Sequence, residues 1–342
     1  MKIKRKICVV GAGTWGTALA NMLANDGHLV SLWSRDISQV EQLNKSHIHP
    51  YLNKAIINDQ IYITNDLEKA LNSSEIIVLA VPSIAIREIT NKIKPLIHPQ
   101  QIIVNVSKGL EEKTLLTMSE VIEDVLGNDF NVVSLSGPTH AEEVAVGLPT
   151  LIVSACKNNE IAKIIQDTFS NKTMRVYTNS DVKGVELAGA FKNIIALACG
   201  MSDGLGYGDN AKAALITRGL VEITRMGVAL GCNSDTFSGL TGIGDIVVTA
   251  TSVHSRNHKA GYLLGKGLSL EETNKEVGMV IEGLNALKAA KELENKYHIE
   301  LPIINCVCKI VYEDMPVNNA VNNLFAREKK DETLYQESDI LN

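Results

Sequence analysis

Three absences narrow what this chain can be. No run of eighteen consecutive apolar residues occurs along its 342 residues, so a membrane-spanning helix is not expected. No long basic run occurs either. The 33 Lys and Arg against 39 Asp and Glu leave a net charge of −6, which gives nucleic-acid binding little support. The six cysteines (Cys8, Cys156, Cys199, Cys232, Cys306, Cys308) form no C-x-x-C pair and no metal-ligand spacing, so no metal is expected. Scattered in this way, they fit buried thiols in a reducing cytoplasm, with a disulfide between some of them left open. No internal repeat is visible.

What remains is a chain long enough for two domains, with 45% hydrophobic residues to build their cores. Its start, "MKIKRKICVVGAGTWGTALA", has the basic head, apolar run and small-residue end of a secretory signal. The glycines favour another motif. "KICVV" reads as a strand, "GAGTWG" places Gly11, Gly13 and Gly16 in G-x-G-x-x-G spacing, "TALANMLAN" is helical, and "HLVSLWSRD" reads as a second strand. In that context Gly11 permits a tight turn, Gly13 lets the backbone approach a pyrophosphate, and Gly16 lets helix and strand pack closely. The helix N-terminus offers N–H groups to the anion. The second strand ends in Arg35 and Asp36. Arg35 can pair with a 2′-phosphate and favours NADP(H). Asp36 either accepts from ribose hydroxyls, which favours NAD(H), or caps the helix "ISQVEQL".

Further strand and helix patterns alternate to about residue 180. They are "IYIT", "DLEKAL", "SEIIVLAV", "IAIREITNKIK", "QIIVNVSKG", "FNVVSLSGPTHAEEVA", "TLIVSAC", "NEIAKIIQDTF" and "MRVYT". The alternation implies a doubly wound parallel sheet with ligands at the carboxyl ends of its strands. Lys108, Gly137, Thr139 and Ala141 fall just past such ends. Beyond residue 180 helical patterns dominate: "DVKGVELAGAFKNIIALACGMSDGL", "DNAKAALITRGLVEITRMGVALG", "SLEETNKE", "VIEGLNALKAAKELENKY" and "IINCVCKIVYE". "IVVTATSV" (246–253) suits strand or helix, and the glycines of "GLTGIGD" and "GYLLGKG" suggest turns. The expected organisation is a dinucleotide-binding domain over 1–180, an all-α domain over 181–325, and a polar, frayed tail over 326–342.

Two polar features interrupt the helical half. Lys192 and Asn193 sit inside the otherwise small and apolar "GVELAGAFKNIIALACG". The plain reading is a lysine carrying its charge out to solvent; the other is a desolvated proton donor. Later, "GLTGIGDIVVTATSVHSRNHKAG" gathers Asp245, Thr249, Ser255, Arg256 and Asn257. Ser-Arg-Asn offers a hydroxyl, a fork of N–H donors and an amide to a phosphate, or else serves as a helix-cap loop.

The glycine motif with Trp15, "VSKGL", "SGPTHAEE", "ELAGAFKNIIALACG" and "GIGDIVVTATSVHSRN", in that order over residues 5–325, resemble the bacterial NAD(P)-dependent glycerol-3-phosphate dehydrogenases. The resemblance implies a Rossmann-type N-terminal domain, an all-α C-terminal domain, a cytoplasmic homodimer, and reversible reduction of dihydroxyacetone phosphate to sn-glycerol 3-phosphate for phospholipid synthesis. It implies Lys192 as the general acid/base. It places Lys108, Gly137, Thr139, Lys192, Asp245, Ser255, Arg256 and Asn257 at the substrate. At the cofactor it places Gly11, Gly13, Thr14, Trp15, Gly16, Arg35, Tyr51, Lys108, Ala141, Arg256, Val280 and Glu282. NADP(H) is the preferred cofactor, with NAD(H) possible. His140 departs from the aromatic usual in relatives. Two other readings stay open: a related two-domain dehydrogenase of a 3-hydroxy or keto acid, and a non-catalytic NADP-sensing module.

Overall fold

Short β-branched runs are buried on both sides of a sheet only if helices cover both faces, and the first half of the chain supplies them in alternation. The computed structural model describes residues 3–52, 54–252, 254–329 and 332. Strands β1 (Lys6–Val10), β2 (Leu29–Trp33), β3 (Tyr62–Thr64), β4 (Ile76–Leu79), β5 (Ile102–Asn105), β6 (Asn131–Ser136), β7 (Thr150–Ala155) and β8 (Met174–Asn179) form one sheet, ordered β3-β2-β1-β4-β5-β6-β7-β8. Helices α1 (Thr14–Asn25), α2 (Ile37–Ser46), α3 (Leu67–Leu71), α4 (Ile86–Ile93), α5 (Met118–Leu126), α6 (Ala141–Ala145) and α7 (Asn159–Phe169) connect them. In β1 and β4 alternate residues serve two separate cores. Ile7, Val9, Ile76 and Val78 pack with α1 and α7, while Cys8, Val10, Ile77 and Leu79 pack with α4 and α5. The strand order reverses beside β1, the position where doubly wound sheets bind ligands.

One pairing departs from the all-parallel expectation: β6 and β7 run antiparallel. The reason is the connection between them. Helix α6 has only five residues and advances about 7.5 Å, too little to carry the chain back along a strand of about 20 Å. Helix α5 was not expected from the pattern. Its N-terminal signal is Glu120, whose carboxylate accepts from the Thr117 N–H at 2.9 Å, half of a capping box.

The chain divides into two compact units. The first holds the residues up to Glu111 together with Leu116–Val182, and the second holds Glu112–Leu115 and the chain from Lys183 on. The second unit is helical: α8 (Val182–Gly204), α9 (Asp209–Ala229), α10 (Ser234–Phe237), a π-helical turn at Leu240–Gly244, α11 (Asp245–Thr251), α12 (Arg256–Gly265), α13 (Leu270–Val277), α14 (Glu282–Tyr297), α15 (Pro302–Tyr312) and α16 (Val317–Phe325). The ambiguous 246–253 run is helical through Thr251, with Val253 outside the described residues. "GLTGIGD" is the π-helical turn leading into α11, and "GYLLGKG" is not a turn until its end, because Gly261 and Gly265 lie inside α12. Of the expected tail, 326–329 are exposed, while 330, 331 and 333–342 lie outside the described residues. All six cysteines are free thiols. Among the described residues α8 is long and apolar enough to cross a membrane, yet its apolar window is wholly buried in the protein.

Glu222 of α9 ties the helical unit together. Its buried carboxylate accepts from the N–H groups of Ile303 at 2.7 Å and Ile304 at 3.1 Å, the uncapped first turn of α15. Burial pushes its pKa up to about 7, outweighing those two bonds. A carboxyl raised on folding holds its proton longer in the native than in the unfolded chain, so its contribution to stability falls as pH rises through the window from about 5 to about 7. In Glu222→Gln, which does not titrate, that pH dependence should disappear from urea-unfolding midpoints measured at both ends of the window. Identical pH profiles for the two proteins would refute it.

Candidate active site

The glycine motif folds as its spacing requires. Gly11 follows β1 at φ +118°, and a Cβ there would lie 2.5 Å from the Ala80 carbonyl oxygen at the end of β4. A Cβ on Gly16 would lie 2.0 Å from the Gly11 oxygen. Both positions therefore exclude side chains sterically. Gly13 differs: it is exposed, and nothing lies within 4 Å of where its Cβ would be. It is the N-cap of α1, and no side chain caps that helix. Open space beside uncapped first-turn N–H groups, at Thr14 and Trp15, fits a pyrophosphate. Trp15 is half-buried against the sheet core.

At the end of β2 the two charged residues part ways. Asp36 Oδ1 caps α2, accepting from Ser38 N at 2.9 Å and Gln39 N at 3.3 Å. Arg35 is exposed, and its charge reaches Glu88, whose carboxyl is held below its usual range mainly by Lys92. Tyr51 is exposed on the loop after α2. Past β5 and β6, Lys108 Nζ donates to the Gly137 carbonyl at 3.0 Å and Thr139 Oγ1 donates to the same oxygen at 3.2 Å. Gly137 has φ +152°, and Ala141 opens α6 directly after His140. Three of the expected residues of this unit, Lys108, Gly137 and Thr139, thus share one strand-end cluster, with Ala141 two residues beyond Thr139.

In the helical unit Lys192 does not reach for solvent. It is 6% exposed, and its ammonium contacts the fully buried Asp245 carboxylate of α11 and donates to Thr249 Oγ1 at 2.7 Å. Thr249 donates its own proton to the Asp245 carbonyl at 2.6 Å, so it accepts from the lysine. Asp245 and Thr249 stand four residues apart, one above the other on α11. That spacing is the sequence signal that would have attached Thr249 to the pair. Asp245, expected at the substrate, faces Lys192 with its carboxylate.

The Ser-Arg-Asn stretch divides into three tasks. Ser255 is the N-cap of α12 and accepts from His258 N at 3.1 Å, the cap reading of this stretch. Arg256 is exposed in the first turn. Asn257 is buried; its Nδ2 donates to Asn193 Oδ1 at 2.9 Å, and its Oδ1 accepts from Gly283 N at 2.9 Å. Asn257 therefore joins the neighbour of Lys192 to the start of α14, where Glu282 is the first residue. Val280, just upstream, is exposed. Asn193 had no assigned role by motif and enters through this bond. Among the described residues no three His, Cys, Asp or Glu side chains gather as a metal site.

Known proteins resemble this chain over nearly its whole length. Residues 6–162 match the family model described as the N-terminus of NAD-dependent glycerol-3-phosphate dehydrogenase, and residues 181–322 match that of its C-terminus. A glycerol-3-phosphate dehydrogenase (NAD(P)+) of Lactobacillus delbrueckii subsp. bulgaricus is 52% identical over 332 residues, covering 96% of this chain and 98% of the relative. One from Bacillus subtilis is 47% identical, covering 96% of each. The crystal structure of glycerol-3-phosphate dehydrogenase from Coxiella burnetii superposes with a TM-score of 0.90 at 38% identity, over 95% of this chain and 99% of that one.

The glycines make a separable prediction. Gly16→Ala should lower the unfolding free energy measured in urea by about 1–3 kcal/mol, because its methyl would overlap a backbone oxygen. Gly13→Ala, at φ −68° and ψ 177° with open space around it, should unfold normally yet weaken NADPH binding, read by fluorescence titration. Normal binding by a folded Gly13→Ala protein would remove the pyrophosphate from this turn.

Proposed function

The chain belongs to the NAD-dependent glycerol-3-phosphate dehydrogenase family, and on that premise we propose how its residues divide the work of the reaction. It catalyses the reversible reduction of dihydroxyacetone phosphate to glycerol 3-phosphate, which supplies glycerophospholipid synthesis. The bound NAD(P)H supplies the hydride; the chain's own residues bind, orient and move the proton.

The observation that carries the assignment of roles is the buried Lys192 ammonium held by Asp245 and Thr249. Oxyanion character develops on the ketone oxygen as hydride arrives, and a fixed, protonated amine answers both its charge and its need for a proton. Lys192 gives that proton during reduction and takes it back during oxidation. Asp245 and Thr249 fix the direction of the amine. Arg256 and the N-terminus of α12 hold the substrate phosphate, with Ser255 and Asn257 setting that turn in place. Lys108, Gly137 and Thr139 complete the substrate set, Lys108 also serving the cofactor. Gly11, Gly13, Thr14, Trp15 and Gly16 hold the pyrophosphate, with Tyr51, Ala141, Arg256, Val280 and Glu282 as further cofactor contacts. The family resemblance supports a cytoplasmic homodimer, and the free thiols fit a reducing compartment.

The assay is oxidation of NADPH on adding dihydroxyacetone phosphate, set against a panel of keto acids. Equal or faster turnover of a keto acid would overturn the substrate. In the same assay Lys192→Met should lose about 10²- to 10⁴-fold in kcat. It should also lose stability, because the buried Asp245 carboxylate loses the cation that faces it. Lys192→Met/Asp245→Asn should regain the stability and not the turnover. Recovery of turnover in the double variant would show that Lys192 serves the fold alone.

Both cofactors are used by relatives so named, and the preference within this chain is for NADP(H). The support is that Asp36 is engaged as a helix cap while Arg35 is exposed beside it. Arg35→Ala should raise KM for NADPH by about tenfold or more and leave KM for NADH nearly unchanged. Equal changes for both cofactors would take the 2′-phosphate away from Arg35.

A further inference from the structure

The carbonyl of Ala12, between the first two glycines of the turn, is the meeting point of two side chains that no motif singles out. Gln39, the third residue of α2, donates its Nε2–H to that oxygen at 2.8 Å. His49, on the loop after α2 and only 2% exposed, faces the same Ala12 backbone, whose polarity works against the effect of burial on its ring. Nδ1 accepts the Tyr51 N–H at 3.2 Å, so a neutral imidazole carries its proton on Nε2, the nitrogen left to face the carbonyl. Burial pushes the His49 pKa below its ordinary value, which favours that neutral form.

Both side chains are fixed at their other ends. Gln39 Oε1 accepts from Ser34 Oγ at 2.6 Å, and the Gln39 backbone N–H is engaged by Asp36 at 3.3 Å. The Ala12 carbonyl is thereby linked to the end of β2, next to Arg35, and to the backbone of Tyr51. Ala12 itself is buried at 3% exposure, so its oxygen would otherwise lack water as a partner.

We propose that Gln39 and His49 are positioning residues for the dinucleotide: by holding the Ala12 carbonyl inward, they turn the Gly13 N–H outward to the pyrophosphate. In a trans peptide the C=O and the following N–H point in opposite directions. Gly13 N–H therefore faces away from the two donors, on the residue whose missing Cβ leaves open space. A peptide flanked by glycine flips at little cost. The flipped form would present an oxygen to the phosphates and bury an N–H against two donors. The Gln39 bond, with the His49 ring beside it, removes that alternative before the cofactor arrives, which is preorganisation. The pyrophosphate is common to NADH and NADPH, so both cofactors depend on this arrangement alike. This rests on the reading that the glycine turn binds the dinucleotide.

The test uses Gln39→Met, His49→Asn and His49→Gln in the full chain, with NADPH and NADH titrated by fluorescence. Asparagine keeps an acceptor near Nδ1 for Tyr51 N–H but does not reach Ala12, whereas glutamine keeps a donor near Nε2. Gln39→Met and His49→Asn should each weaken both cofactors about tenfold, the effect of leaving one buried carbonyl bond unmade. Their kcat at saturating substrates should stay within about twofold, placing the loss in binding. His49→Gln should recover most of the affinity. Unchanged affinity in folded Gln39→Met or His49→Asn overturns the proposal. So does a loss that only tracks a lower melting temperature, or a His49→Gln protein that binds no better than His49→Asn; if His49→Asn does not fold, Gln39→Met decides. A wild-type protein that binds neither cofactor would instead remove the reading of the glycine turn itself.

Discussion

The helical unit depends on one steric constraint, the contact of α8 with α12 backbone against backbone. A Cβ on Gly200 would lie 2.1 Å from the His258 oxygen, and one on Gly261 would lie 2.0 Å from the Leu197 oxygen. One turn further along, Gly204 and Gly265 repeat the arrangement, each with a carbonyl oxygen 2.4 Å from the missing Cβ. Four absent side chains let the helices approach this closely. The approach carries the first turn of α12 to α8, so that Asn257 reaches Asn193. It also explains the uniform apolar character of α8. A helix packed on every side has no polar face to present, and its hydropathy then resembles that of a membrane span.

Within that packing the Lys192–Asp245 pair is costly. Withdrawing two charges from water costs several kcal/mol per ion, and the attraction between them does little more than offset it. A pair of apolar residues would fill the same space at least as well. What apolar residues cannot supply is a proton at a fixed point. Thr249 adds to the reading: its hydroxyl accepts from the lysine and donates chiefly to its own helix, with the Asp245 carboxylate a longer 3.4 Å away, so it helps to orient the amine. The cost of the pair as a stabiliser supports the proposed role of Lys192 as a held acid.

The first unit solves a different problem with the same economy of atoms. Gly11 and Gly16 are glycine because backbone atoms occupy the space of a side chain, and Gly13 is glycine beside open space. These roles were legible because the motif is local, six residues between a strand and a helix. The strands and most helices were legible for the same reason, since period-2 and period-3.6 patterns involve near neighbours. The reversal at β7 was not, because it turns on whether one short helix can span the sheet. The glycines of α12 were misread as turns, because in sequence a glycine that ends a helix and one that admits a neighbouring helix look alike.

Sequence alone determined the alternation of strands and helices in the first half, the glycine turn, the helical character of the second half and the family to which the motifs belong. It also marked Lys192 as out of place in an apolar helix. Tertiary structure alone decided what that lysine does with its charge, since Asp245 lies 53 residues away along the chain. It decided likewise that Asp36 is spent on a cap, that Asn257 bonds a residue 64 positions upstream, and that Gln39 bonds the Ala12 carbonyl. The division has a physical cause. Backbone preferences and side-chain periodicity act over about four residues, one helical turn. A hydrogen bond or ion pair between distant residues exists only once packing has brought their atoms together.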